Sequence, residues 1–127
     1  MANILVVDDE RDVVTLVKFV LQKEGHTVIE AYNGAQALEK LGVEPVNAEA
    51  ELPDLIILDV MMPIIDGHTA CRRISENDRV RKVPVVVLTA KGQMRELFES
   101  CGNVAAYLEK PFDPRKLREM IASVLGI

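Results

Sequence analysis

Three nearly uninterrupted apolar runs constrain this chain more than any other feature: "ILVV" at 4–7, "LIIL" at 55–58 and "VPVVVLT" at 83–89. A half-exposed strand alternates apolar and polar residues, whereas a continuous apolar run marks a strand buried on both faces. Two weaker segments, "TVIEA" (27–31) and "AAYLE" (105–109), have strand length and strand-forming residues. The stretches between them carry helical spacing. Val13, Val14, Leu16, Val17, Val20 and Leu21 recur along residues 10–25, and Gly25 closes that helix. Asn33 is placed to cap a helix over 34–41 that ends at Gly42, and Asp66 to cap one over 67–77. A weakly periodic helix is expected over 92–102, and Asp113 followed by Pro114 opens a last one over 114–127. Residues 43–54 hold two prolines and no period, and they read as a surface loop. Five strands alternating with five helices predict a parallel sheet covered on both faces. Right-handed crossovers bring the C-terminal ends of its strands to one edge, which is where ligands bind in such sheets.

A length of 127 residues and 49% hydrophobic content fit one domain, 1–127, with one real core. The net charge of −5 argues against direct nucleic-acid binding. No apolar run approaches the roughly 20 residues of a membrane span. The opening "MANILVVDDE" lacks the basic region and cleavage site of a signal peptide. A cytoplasmic domain without a membrane partner is expected. Cys71 and Cys101 read as reduced, small apolar packers, with a single bridge as the alternative. His26 and His68 read as surface or turn residues.

The residues just after each strand carry the chemistry. Asp8, Asp9 and Glu10 follow the first strand, Asp59 ends the third, Thr89 ends the fourth, and Lys110 follows the fifth. Acids that converge must either raise a pKa or hold a cation, and one lysine does not balance three carboxylates. An all-oxygen cluster suits a hard divalent ion, and Mg²⁺ keeps several waters in such sites. The cation, Lys110, the Thr89 hydroxyl and amides of the Met61–Met62 loop would surround a phosphoryl group, with Asp59 as its acceptor. Taken singly, each residue has an ordinary explanation: a helix-start acid, a strand-end cap, a β-sheet threonine, a surface lysine. For Asp12 the helix-start explanation is preferred, and for Glu10 both stay open.

The stretches "ILVVDDE", "DLIILDVMMPIIDG", "VVVLTA" and "YLEKPF" closely resemble, in order and over nearly the whole chain, the receiver domain of two-component response regulators. This resemblance implies a flavodoxin-like, doubly wound (βα)5 fold with strand order 2-1-3-4-5, an order that periodicity alone does not supply. It implies that Asp59 takes a phosphoryl group from the phosphohistidine of a sensor histidine kinase or histidine phosphotransfer protein, or from a small phosphodonor. Asp9, Asp59 and the Met61 backbone carbonyl would hold Mg²⁺ (or Mn²⁺) directly, and Asp8 through water. Thr89 and Lys110 would contact the phosphoryl group, with the Lys110–Pro111 bond cis. Thr89 and Tyr107 would act as the switch for the face built by the fourth helix, fifth strand and fifth helix. Met61 and Lys91 would modulate hydrolysis. Such a domain is a signalling phosphoacceptor rather than an enzyme on other molecules. Its partners would be the kinase and a downstream effector or fused output domain, and it would be a monomer or a phosphorylation-dependent dimer.

Departures from the family pattern are few. Ile64 and Ile65 stand where glycine and methionine or leucine are frequent. A β-branched residue resists a positive φ, so the loop is expected to change shape if that angle is needed there. Partial exposure of these isoleucines would hint at a partner contact. The 43–54 loop is longer than usual. Rival readings are a pseudo-receiver that only docks, an Asp-nucleophile phosphatase and a flavodoxin. The phosphatase wants a second acid where Met61 stands, and the flavodoxin wants a phosphate loop where "DDERD" stands. No output domain lies within the 127 residues, which fits either a stand-alone receiver or one domain of a longer protein.

Overall fold

The computed structural model describes residues 2–90, 98 and 101–127. Its strands are β1 (Asn3–Val7), β2 (Thr27–Ala31), β3 (Leu55–Asp59), β4 (Val85–Ala90) and β5 (Val104–Lys110). They form one parallel sheet in the order β2-β1-β3-β4-β5, the expected flavodoxin-like topology. Four helices are present among the described residues: α1 (Arg11–Lys23), α2 (Gly34–Lys40), α3 (Gly67–Ser75) and α4 (Pro114–Leu125). The helix expected over 92–102 falls largely outside the described residues.

The central strands behave as their sequence demands. All five residues of β3 are buried, and alternate ones feed opposite cores. Ile56 and Leu58 join Leu38, Ala70 and Ile74 beneath α2 and α3. Leu55 and Ile57 join Val14, Val17, Leu117 and Ile121 beneath α1 and α4. Truncating such a residue to alanine removes about 2–5 kcal/mol of stability, which explains why both faces stay apolar. On α1 the buried stripe is Val14, Val17, Val20 and Leu21. Leu16, expected within it, is instead 41% exposed, because it lies about 100° per residue around the helix from each neighbour and falls off the edge of the stripe.

Helix starts follow local chemistry. The side chains of Asn33, Asp66 and Asp113 accept from the backbone N–H groups of Gln36, Thr69 and Arg115, each at 2.8 Å. The 43–54 segment is a loop, as expected, but a tied one. Arg79 donates to the carbonyls of Leu41, Asn47 and Ala50, so a single guanidinium organises the backbone of that excursion. His26 stands at the turn between α1 and β2, one of its two sequence readings, but not on the surface: it is 7% exposed, and its Nδ1 accepts from the Ala2 N–H at 3.2 Å. That bond helps tie the start of the chain to the α1–β2 connection. His68 is half-buried rather than on the surface, edge-on to Phe98 at 5.7 Å between ring centroids. Both cysteines are free and buried. No helix of the described residues is long and apolar enough to cross a membrane.

Candidate functional site

Strand register sets the site. Val7, Leu58 and Val87 lie side by side across β1, β3 and β4. The next step along each strand brings Asp8 and Asp59 to the C-terminal edge, with Asp59 beside Leu88. Thr89 follows Leu88, and Lys110 pairs with Ala90.

At this edge Lys110 reaches inward. Its Nζ lies 2.7 Å from Asp8 Oδ2, 3.2 Å from Asp59 Oδ1 and 3.5 Å from Glu10 Oε1. Asp8 is 0% exposed and Asp59 5%, so two carboxylates and an ammonium share a poorly solvated corner. Asp8 Oδ1 accepts from the Glu10 N–H at 2.9 Å. Asp8 Oδ2 meets the ammonium as a close ion pair, without an aligned hydrogen bond. Burial pushes the Asp59 carboxyl up to about 7, and the charge of Asp8 adds to the rise, while Lys110 pulls against it. Burial works against the Lys110 ammonium as well, but contact with Asp8 and Asp59 more than offsets it and raises its pKa.

The acids outnumber the base. Asp8, Asp9 and Glu10 each offer an oxygen, and these oxygens lie within 4.8 Å of one another. An all-carboxylate donor set, partly buried and with an oxygen short of an aligned donor, fits a hard divalent cation such as Mg²⁺. Glu10, left open between two roles by its sequence, keeps both: it is the N-cap residue of α1 and one of the three clustered acids. Asp12 sits in the exposed first turn of α1, as a helix-start acid should.

The remaining expected residues are placed as follows. Thr89 is 2% exposed at the end of β4. Tyr107 lies opposite Val87, half-buried and edge-on to Phe98 at 6.3 Å between centroids. Met61 is 68% exposed, whereas Met62 packs on the core beneath α2 and α3. Lys91 lies outside the described residues. The Lys110–Pro111 bond is cis.

Two features of the β3–α3 loop go beyond the sequence reading. Ile64 does adopt the left-handed angle that its side chain resists, at φ +71, and is 80% exposed. Gly67 was legible only as the start of a helix. A Cβ there would stand 2.0 Å from the Asp59 carbonyl oxygen, so the bare Cα is what lets α3 close on the backbone of Asp59. A glycine in place of a better helix former at the helix's first position was the available sign.

A family model of the response regulator receiver domain matches residues 4–122. The chain belongs to this family. Among curated relatives, the alkaline phosphatase synthesis transcriptional regulatory protein PhoP of Bacillus subtilis is 38% identical over 97% of this receiver, which spans 48% of that protein. Protein PilH of Pseudomonas aeruginosa is 31% identical, with 99% of both chains covered. The receiver thus spans about half the length of the first relatives it matches and nearly all of PilH. Among solved structures, the receiver domain of a sensor histidine kinase from Pseudomonas aeruginosa, with a magnesium ion coordinated in its active-site cleft, aligns at a TM-score of 0.83 and 30% identity. That alignment covers 99% of this receiver and 98% of the other chain.

Proposed function

We propose that this receiver is a Mg²⁺-dependent phosphoacceptor in which Asp59 takes a phosphoryl group from a phosphohistidine or a small phosphodonor. The observation that carries the reading is the buried meeting of Asp8, Asp59 and Lys110, where Lys110 Nζ lies 2.7 and 3.2 Å from the two carboxylates. Asp9, Asp59 and the Met61 carbonyl would hold the metal, with Asp8 acting through water and Glu10 beside them. When bound, Mg²⁺ supplies positive charge that keeps Asp59 ionised and offsets charge building on the transferred oxygens.

The chain's own groups perform the rest. An Asp59 carboxylate oxygen attacks phosphorus, the bond to the donor breaks, and an acyl phosphate forms on Asp59. Lys110 is already within reach of Asp59 and can follow the charge onto a phosphoryl oxygen, leaving Asp8 to the cation. The Thr89 hydroxyl donates to another oxygen. Its movement draws Tyr107 along and changes the face built by β5 and α4, which a downstream protein or an attached output domain would read. Met61, with Lys91 by the family resemblance, would modulate the hydrolysis that ends the signal. The chain acts on itself and on no separate substrate.

The test is incubation with Mg²⁺ and acetyl phosphate, followed by intact mass, with Asp59→Asn as control. One added phosphoryl group, dependent on Mg²⁺ and absent from the variant, is the expected result. No gain from acetyl phosphate or from a phosphorylated histidine kinase would overturn the reading in favour of a domain that only docks.

A further inference from the structure

The β3–α3 loop is pinned by two glycine amides. Gly67 N–H donates to the Val60 carbonyl at 2.8 Å, at the root of the loop. Gly34 N–H, from the first turn of α2, donates to the Ile65 carbonyl at 3.2 Å, near its far end. A Cβ on Gly34 would stand 2.4 Å from that carbonyl oxygen and 2.9 Å from Ile65 Cβ. The nearest obstacle is backbone, so the loop itself would have to move to admit a side chain.

Between the pins the chain doubles back tightly. Ile65 N–H donates to the Pro63 carbonyl at 2.8 Å, closing a three-residue turn centred on Ile64 at φ +71. This is the rarer, strained hand of the γ-turn, and a β-branched residue makes it costlier. Ile64 is 80% exposed, so its side chain gains little packing in return. Backbone strain of this kind persists where the surroundings hold it. Here the surroundings are Ile65 packed on the core and the Gly34 amide on its carbonyl.

We infer that Gly34 is a positioning residue for the metal and phosphoryl site: its bare Cα and its amide hold the loop in the turn at Ile64 and thereby set where the Met61 carbonyl lies. This rests on the reading above, in which that carbonyl faces the metal. Gly34 itself stands on α2, apart from Asp8, Asp9, Asp59, Thr89 and Lys110. Alanine at its position would ordinarily favour the helix, so any loss in Gly34→Ala must come through the loop.

The test uses the full chain, with Mg²⁺ binding followed by calorimetry and phosphorylation by acetyl phosphate followed by mass. Gly34→Ala should keep the helical circular dichroism of the parent and bind Mg²⁺ about tenfold more weakly or worse, the size seen when supports of metal ligands are removed. Its slowed phosphorylation should recover as Mg²⁺ is raised. The double variant Gly34→Ala/Ile64→Gly should regain most of the affinity, because glycine at 64 absorbs the displacement before it reaches Met61. Unchanged affinity in Gly34→Ala, or no rescue in the double variant, overturns the inference. If Gly34→Ala fails to fold, the parent decides by nuclear magnetic resonance. The Gly34 amide should shift during Mg²⁺ titration with the same dissociation constant as the Asp9 amide, and a still Gly34 beside a moving Asp9 overturns the inference. A parent that binds no Mg²⁺ overturns the site reading, and this inference with it.

Discussion

Two clusters of charge flank the start of α1, and they are built to opposite rules. On β2, Glu30 accepts from Lys18 at 2.5 Å and from the Tyr32 hydroxyl, while the Arg11 guanidinium lies 4.3 Å from the centre of the Tyr32 ring. One carboxylate there meets two donors, one of them cationic, with a second cation close by. Its pKa is lowered, chiefly by the Lys18 hydrogen bond and then by that of Tyr32. At the edge of β1 and β3, one ammonium serves Asp8, Asp59 and Glu10, and the pKa of Asp59 rises. The first cluster is complete as it stands. The second is short of positive charge in a buried place, a shortage that the proposed cation would relieve.

The sharpest way to break this contrast is to remove the lysine. Lys110→Ala leaves Asp8 and Asp59 buried without a cation. Breaking a buried ion pair costs about 3–5 kcal/mol, and proton uptake by Asp59 should hold the loss near the lower end. Urea denaturation of the metal-free protein reads it. A loss as small as that of a surface pair would mean that the acids are balanced by something other than Lys110.

Asp59→Asn should act in the other direction. In the metal-free protein the folded carboxyl sits at about 7 against an ordinary value of 3.8, so the folded state holds its proton more tightly than the unfolded one. Stability from this group is therefore highest in acid, falls as pH rises between those two values, and stays low above them. The variant removes that loss. It should be more stable than the parent at pH 8 by on the order of 2 kcal/mol, with no gain near pH 4. Saturating Mg²⁺ should shrink the difference. A variant no more stable than the parent at pH 8 would show that Asp59 is not strained by its neighbours.

Next in size is the metal itself. Free Mg²⁺ at ten times its dissociation constant should stabilise the parent by about 1.4 kcal/mol, and the gain should vanish in Asp9→Asn. Thermal melts with and without Mg²⁺ measure both. A gain that survives Asp9→Asn would place the cation elsewhere.

How much of this was legible in the sequence differs by kind of interaction. "LIIL" running into Asp59 was readable because burial on both faces of a parallel strand leaves a continuous apolar run, and a carboxylate at its end stands out. Lys110 was readable more weakly, because it follows the strand-length segment "AAYLE" and so falls at the same edge. The strand order came with the resemblance, since helical and strand periods do not specify which strands are neighbours. Contacts between distant segments were not legible at all. Gly34 beneath Ile65, and Arg79 gathering the carbonyls of Leu41, Asn47 and Ala50, join residues 29 to 38 apart, with nothing local to announce them. Ile64 misled because local preference and tertiary restraint disagree there, and restraint from Ile65 and Gly34 prevails.

The smallest effect separates the two clusters most cleanly. Glu30→Gln removes a partly exposed carboxylate whose pairing, like that of most surface pairs, is worth less than about 1 kcal/mol. Its lowered pKa means that its contribution is present above the unfolded value and is lost only as pH falls through the lower folded one. Acidification from pH 8 to 5 should thus strengthen the metal-free parent at Asp59 and leave the Glu30 cluster unchanged. Further acidification should weaken it at Glu30. Glu30→Gln should flatten only that acid limb and leave Mg²⁺ affinity as it was. If it weakened Mg²⁺ binding as well, the two clusters would be one electrostatic unit, and the shortage of positive charge at Asp59 would have to be reckoned over both.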